Sequence, residues 1–550
     1  MPGALHSIIA RATFLSERLR ASYPSGPHGQ EEVRQARLER WRQAIGPQSS
    51  DWLDKRLGWD GVNLDRAEAV LVDPLPQPAS PLPDWATVLE SICTTALSFS
   101  PAAFKNSPFD PSKPIPFEDM LLPAIAVARE RLGDQLCFQS KNWSFPLLGL
   151  VSIRAYQTLE RGLLQQLASL SGQVLESEFR EFLPYGCSLL TLLGVEDDDP
   201  PSDEHYRKFV QRHFRSGLLE LFGLYPVLGR LIATAVALWV EATSEFLQRV
   251  VADRHELITH FQFSDPLLEI ADIEVSLSDP HRGNRTVMVA EFTGGRKLVY
   301  KPKPLGFEGA FNRLLVWCNH RNASEALRVT AVLERPGYGW VEYLEQVPCV
   351  DEAAAQRFYV RAGMLLCLLR AVRATDCHHE NLIAHGEHLV LIDAETVMSH
   401  EPHPLEDSPW SEADEPIAAR QFRDSVLRTG LLPRWQFDGD DGAAYDVSGL
   451  GSVGDQPPMR DVLRWHQVNT DGMHTRSETV AVPPRKNVPY LNGRVLSPLE
   501  YQAELIRGFE QMYRFLLEHR DVLLASDGPL VEMHSQPVRF IYRATRIYGA

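Results

Sequence analysis

The order in which residues 375–395, TDCHHENLIAHGEHLVLIDAE, change character constrains this chain more than any other stretch. An apolar helical pattern over DEAAAQRFYVRAGMLLCLLRAVR stops at a polar turn that Asp376 opens and Asn381 closes, five residues on. Apolar LIAH follows, and HLVLID, an apolar β-prone run, reads as a buried strand that delivers Asp393 and Glu395 at its end. A helix, a polar loop and a strand must therefore adjoin, which demands a mixed α and β fold. Hard oxygen donors at a strand end suit magnesium, although an acidic pair alone equally fits a solvated or salt-bridged pair.

The spacing of Asp376 and Asn381 resembles a kinase catalytic loop, in which the Asp accepts the proton of an attacking hydroxyl and the Asn holds magnesium against the nucleotide phosphates. ATP is the substrate this suggests. A kinase also needs a lysine on an upstream strand, and RKLVYKPKPL places Lys301 at the end of an alternating apolar run, with Lys303 as the spare. Further upstream, EVSLSDPHRGNRTVMVAEF carries Asp279 and His281 in a Pro-Gly turn between two strand-like segments, the pattern of a hairpin. A protein kinase would have a glycine-rich phosphate loop there; no GxGxxG is present, so the ordinary protein kinase reading fails at that point.

The motifs SDPHRGNRTV, VYKPKPL, TDCHHENLIAHG, VLIDAE and VRFIYRATRIY, in this order, resemble the dehydratase domain of class II lanthipeptide synthetases, the LanM family. The twenty residues from His281 to Lys301 and the seventeen from Asp376 to Asp393 also resemble the family's spacing. Softer similarities lie at 225–240, 425–435, 445–451 and in NVPYLNG followed by GFEQMYRFL, so the resemblance covers roughly residues 215–550 and the first two hundred residues only loosely. It implies an α+β fold with a lipid-kinase-like, two-lobed catalytic core. It also implies a two-step reaction on Ser and Thr of a ribosomally made precursor peptide: phosphorylation from ATP with Mg2+, then elimination of phosphate to dehydroalanine or dehydrobutyrine.

By the resemblance, Lys301, Asp376, His378, Asn381, Asp393 and Glu395 serve phosphorylation, with Asp376 on the substrate hydroxyl, Lys301 on the phosphates and Asn381 and Asp393 on magnesium. Glu395 and His378 support them, Glu395 beside the metal. Asp279, His281, Arg539 and Thr545 match positions used for elimination; Arg539 would hold the leaving phosphate, and the base is one of Asp279, His281 and Lys301. Without the resemblance, the alternation of VRFIYRATRIY fits a β-strand with exposed arginines.

Length and composition agree with an enzyme of this kind. The 550 residues are 44% hydrophobic, enough for several cores, and 72 acidic against 55 basic residues give a net charge of −17, which argues against nonspecific nucleic-acid binding. Seven cysteines without a CxxC pair suggest reduced thiols and a cytoplasmic protein. No secretory signal opens the chain, and the most apolar run, LIATAVALWV at 231–240, is far too short to span a bilayer.

Composition breaks place an α-rich region at 1–265, with a Pro-rich break at 73–84 and a solvated acidic loop at 195–205, and a kinase-like core at 266–550. In the core, short strands fill 268–345 around a helix near 306–322, and 399–460 reads as an activation-loop analogue or an inserted helical subdomain. The core is expected to be incomplete at its C-terminus, and no cyclase domain is recognisable; a separate cyclase or transporter is a possible partner. The precursor's leader is expected to bind the α-rich half, an expectation that unchanged peptide affinity after removal of residues 1–200 from a still-folded protein would sink. Two other functions fit part of the pattern. A small-molecule phosphotransferase of the aminoglycoside-kinase type accounts for 376–395 but not for Asp279, His281 and Arg539, and a noncatalytic peptide binder has no need of the acid, amide and lysine set. Zinc hydrolysis fails because HENLIAH separates its histidines too far for HExxH on one helix face.

Overall fold

Apolar positions at helical spacing build the first half of the chain. In the thirty-residue helix Ile153–Phe182, Ala155, Leu159, Leu163 and Leu167 fall on one buried face, and the Ser152 hydroxyl caps the N-terminus by accepting the Ala155 N–H at 3.0 Å. The computed structural model describes residues 2–20, 31–45, 51–74, 82–101, 104–136, 149–184, 202–263, 268–399, 417–438, 443–451, 459–481 and 485–539. The expected acidic loop at 195–205 and the Pro-rich break at 73–84 fall mostly outside them.

The run LIATAVALWV belongs to a 35-residue helix, Pro226–His260, started by a proline at its first turn. The expectation that it is far too short to span a bilayer is corrected: by length and composition alone this helix could cross a membrane. Most of its apolar window is buried, against helices Asp84–Leu97, Glu118–Gln135 and Ile153–Phe182, as in the core helix of a globular domain.

Five antiparallel strands follow, β1 (Ile270–Glu274), β2 (Met288–Phe292), β3 (Lys297–Lys301), β4 (Val332–Arg335) and β5 (Tyr338–Glu342), in the order β1-β2-β3-β5-β4. Strand alternation sends Leu298 and Tyr300 to the face that joins the helical core and leaves Lys301 on the other. On the core face, Phe246 of the long helix meets the rings of Tyr300 and Trp340, the Trp340 indole N–H donates to Asp253 at 2.9 Å, and Arg249 donates to the Tyr300 hydroxyl at 2.6 Å. One hydrophobic cluster thus runs through the helices and the near face of the sheet.

A second cluster lies under helices Gly306–His320, Glu352–Ala371 and Gln502–Glu518. Asp351 caps the Glu352–Ala371 helix, accepting the Ala354 N–H at 2.7 Å. That helix crosses Gln502–Glu518 at backbone contact, where a Cβ on Gly508 would run into the Val360 carbonyl. From it the chain enters the polar turn and the hairpin β6 (Leu382–His385) and β7 (His388–Leu391), in register Leu382 with Leu391. Between 399 and 460 the described residues hold a short helix, Ile417–Asp424, and the hairpin of β8 (Trp435–Asp438) and β9 (Ala443–Asp446). The mixture of helices and antiparallel strands agrees with the α+β expectation.

A longer hairpin, β10 (Met459–His466) and β11 (His474–Ala481), returns to the helical region. Its turn residue Asn469 accepts the Phe117 N–H at 2.7 Å and donates to Glu118 at 3.2 Å, and Asp471 accepts the Tyr206 N–H at 2.8 Å. Burial pushes the Glu118 carboxyl up to about 7 against the pull of its hydrogen bonds to Ile115 and Asn469. An acid held above its unfolded value favours the fold when protonated, so stability should fall as pH rises from the ordinary glutamate value through about 7. Glu118→Gln is expected to flatten this slope; thermal midpoints at pH 5 and pH 8 that differ as much in the variant as in the parent would refute it.

Candidate active site

The polar turn gathers its groups through its backbone. Asp376 sits in the left-handed region at φ 61°, which Asp and Asn tolerate better than most residues, and this lets the chain leave the helix and turn at once. Asn381 holds the turn shut by donating from its side-chain amide to the Asp376 carbonyl at 2.8 Å. With its nitrogen so engaged, its amide oxygen is the atom left for a cation. The Glu380 N–H donates to His378 Nδ1 at 3.2 Å, which leaves the proton on Nε2, 3.3 Å from Asp376 Oδ1. His378 therefore orients the Asp376 carboxylate.

Segments that carried only soft similarity brace the turn. The Cys377 N–H donates to the Thr429 carbonyl at 2.8 Å, and the His379 N–H to that of Val447 at 3.2 Å. Gly449 lies so close that an added Cβ would stand 2.6 Å from the Cys377 carbonyl. His378, His379 and Glu380 have potential ligand atoms within 4.8 Å of one another, but the Nδ1 atoms of both histidines are engaged with backbone groups.

Asp393 and Glu395 follow β7. Lys303 reaches them both, with Nζ 2.8 and 2.6 Å from the two Asp393 oxygens and 2.8 Å from Glu395. Lys301 is buried on the far face of β3, donates to the Ile392 carbonyl next to Asp393, and lies 3.5 Å from Glu308 on the helix that follows β3. A lysine at a strand end paired with a glutamate on the next helix matches the pairing that positions the phosphate-binding lysine of kinases. Sequence reading missed Glu308; its place seven residues beyond Lys301 in a helix's first turn was the available signal.

Arg539, expected to act on the leaving phosphate, joins the same group: its guanidinium pairs with Glu395, and its backbone N–H donates to the Glu395 carbonyl at 3.1 Å. The rest of its expected strand, from 540 on, and Thr545 lie outside the described residues.

Asp279 and His281 lie in the connection between β1 and β2, an expected hairpin that is present, and both are exposed. Their turn is closed by paired backbone hydrogen bonds between His281 and Arg285, each 2.9 Å. It is clamped to the helical region by Arg285 on Glu245, at 2.6 Å, and by Asn284 on Gln166, at 3.0 Å. Among the described residues no hydrogen bond or ion pair joins Asp279 or His281 to Asp376, Asp393 or Glu395.

The electrostatics follow from this packing. Burial raises the Asp376 carboxyl, with Asp393 and Glu395 adding to the rise and His378 and Arg539 opposing it. Burial also works on Asp393, but Lys301 and Lys303 outweigh it and hold its carboxyl below the usual range. Burial raises Glu308 in spite of both lysines. Cys377 in the turn is buried and pushed up to about 12, so it is no nucleophile at neutral pH. The oxygens of Asn381, Asp393 and Glu395 make a donor set that fits a hard divalent cation. The buried Glu308 Oε2 has no hydrogen-bond partner, while its Oε1 faces both lysines.

A helical layer, an antiparallel sheet and an acid, amide and lysine site beyond its far face define a mixed α and β protein with one charged, partly buried polar site. A family model described as a domain of unknown function, DUF4135, matches residues 225–550, more than half of the chain, and the chain belongs to that family, which is found in LanM-type proteins. Over 368 residues the chain is 23% identical to the lacticin 481/lactococcin biosynthesis protein LcnDR2 of Lactococcus lactis subsp. lactis, a match covering 63% of this chain and 38% of that protein. The chain thus spans well under half the length of this relative. The match agrees with the family resemblance read from the motifs.

Proposed function

We propose that this chain carries the dehydratase activity of a lanthipeptide synthetase on a lipid-kinase-like, two-lobed core: it phosphorylates Ser and Thr of a precursor peptide from ATP, then eliminates the phosphate. The observation that carries the reading is that Arg539 meets the Asp376–Asn381–Asp393 group through Glu395, so groups suited to each step share one site. Membership of the family and the similarity to a lantibiotic biosynthesis protein support a peptide substrate.

In this reading Asn381, Asp393 and Glu395 would hold Mg2+, which when bound draws the phosphates together and neutralises their charge. Lys301, pinned by Glu308, and Lys303 present cations to the phosphate oxygens. Asp376, oriented by His378, takes the proton of the Ser or Thr hydroxyl as its oxygen attacks the γ-phosphorus of ATP, and the bond to the bridging oxygen breaks with its electrons leaving on ADP. For elimination, a base removes the peptide α-proton, the Cα–Cβ double bond forms, and the Cβ–O bond electrons leave with the phosphate, which Arg539 receives. Asp279, His281 and Lys301 are the candidates for the base. Asp279 and His281 are exposed on a turn clamped by Arg285 and Asn284, so they would act where the bound peptide passes that turn.

Intact-mass analysis of a Ser/Thr-rich precursor peptide incubated with the protein, ATP and Mg2+ tests the proposal. Losses of about 18 Da per site, one water for each phosphorylation and elimination, are expected. ATP turnover on an aminoglycoside with no change in the peptide would instead establish a small-molecule phosphotransferase.

A further inference from the structure

Lys303 occupies an unusual position for a spare lysine. Its ammonium is 2.6 and 2.8 Å from the two oxygens of Asp393, 2.8 Å from Glu395 Oε2 and 3.9 Å from Glu308 Oε1, so three carboxylates surround one cation. The remaining oxygen of Glu395 is taken by Arg539. Lys301, by contrast, is engaged with Glu308 and the Ile392 carbonyl. Among the described residues, Lys303 is thus the lysine whose ammonium sits on the oxygens that the proposed function gives to a divalent cation.

A hard divalent cation binds carboxylate oxygens at about 2.0–2.1 Å, closer than any ammonium, and it cannot share both oxygens of Asp393 with Lys303. We propose that Lys303 is an internal counter-cation that holds the Asp393–Glu395 pair in the metal-free protein and yields those oxygens when a divalent cation enters. The inference rests on the proposed metal role of Asp393. Two features equip Lys303 to move. Glu308, already 3.9 Å away, keeps a second, buried oxygen without a hydrogen-bond partner, ready to take the displaced ammonium. Lys303 also follows the end of β3 at Lys301 and Pro302, so it is not tied into the sheet's ladder as Lys301 is. Seated this way, Lys303 keeps two carboxylates from repelling each other before the cation arrives, and it stands next to incoming phosphates afterwards.

The test is binding of Mn2+, read by its electron paramagnetic resonance signal, to the full chain without nucleotide. Removing the competing charge in Lys303→Met should tighten Mn2+ binding about tenfold or more, while Lys303→Arg should bind no tighter than the parent. Lys303→Gln gives a second neutral side chain should the methionine variant fail to fold. Unchanged or weaker Mn2+ binding in a neutral variant whose circular dichroism and thermal midpoint match the parent would overturn the inference. Asp393→Asn separates the two levels of the argument. Loss of Mn2+ binding there, without tightening in Lys303→Met, removes only the counter-cation role; Mn2+ binding that ignores both substitutions removes the metal role of Asp393 and the inference with it.

Discussion

Arg539→Ala should change what the protein makes: peptide carrying gains of about 80 Da per modified site in place of losses of about 18 Da. The groups that would serve phosphoryl transfer, Asp376, Asn381, Asp393 and the two lysines, make their contacts without Arg539, so the first step should survive with a reduction of a few-fold at most. Elimination has no such reserve. A phosphate that departs with the Cβ–O electrons needs a cation matched to its oxygens, and removal of one charged hydrogen-bond donor from such a site typically costs about 10²–10³ in rate. Because Arg539 is 42% exposed and its ion pair with Glu395 is partly solvated, the substitution should cost little stability. Arg539→Lys should restore only part of the second step, since an ammonium cannot make the two parallel hydrogen bonds of a guanidinium. Dehydrated peptide appearing at the parent rate in Arg539→Ala would remove the arginine from the mechanism.

What the sequence disclosed, it disclosed where neighbours in the chain are neighbours in space. Asp376 to Glu395 could be read because a helix, a turn and a hairpin of four-residue strands complete the arrangement within some twenty residues. The hairpin that carries Asp279 and His281 was legible for the same reason. The choice between Lys301 and Lys303 was not. Both follow an alternating strand pattern, and the seating of Lys303 on Asp393 depends on how β3 lies over a segment 90 residues away. Glu308 was hidden because its partner is set by the direction of the helix after β3, which propensity does not encode. The clamp of Arg285 on Glu245 joins a strand connection to a helix forty residues earlier, and nothing local announces it. The long helix Pro226–His260 was underestimated because Arg230 and Glu241 were read as its ends, when Glu241 falls on its exposed face and Arg230 pairs with Glu17 of an earlier helix. At Asp279 and His281 the resemblance carried a role that the described contacts neither join to Asp376 nor separate from a bound peptide.

Asp376→Asn should abolish phosphorylation while leaving the protein folded. Asn adopts the left-handed backbone that Asp376 uses at φ 61° as readily as Asp does, and its side-chain oxygen can still accept from His378 Nε2, so the turn has no reason to open. What it lacks is a basic oxygen for the hydroxyl proton, a deficit of about 10²–10⁴ in rate. In the parent, phosphorylation should decline as pH falls with an inflection above the ordinary aspartate value, because burial and the charges of Asp393 and Glu395 raise the Asp376 carboxyl. The same shift has a consequence for stability. An acid whose folded value lies above its unfolded value opposes folding once ionised, so the contribution present in acid is lost as pH rises through the folded value. Asp376→Asn should therefore raise the thermal midpoint at pH 8 and leave it nearly unchanged at pH 4, the opposite of the effect on activity. A variant that loses activity and also melts lower at pH 8 would mean that Asp376 serves the fold of the turn, and the proton acceptor would have to be sought elsewhere in the site.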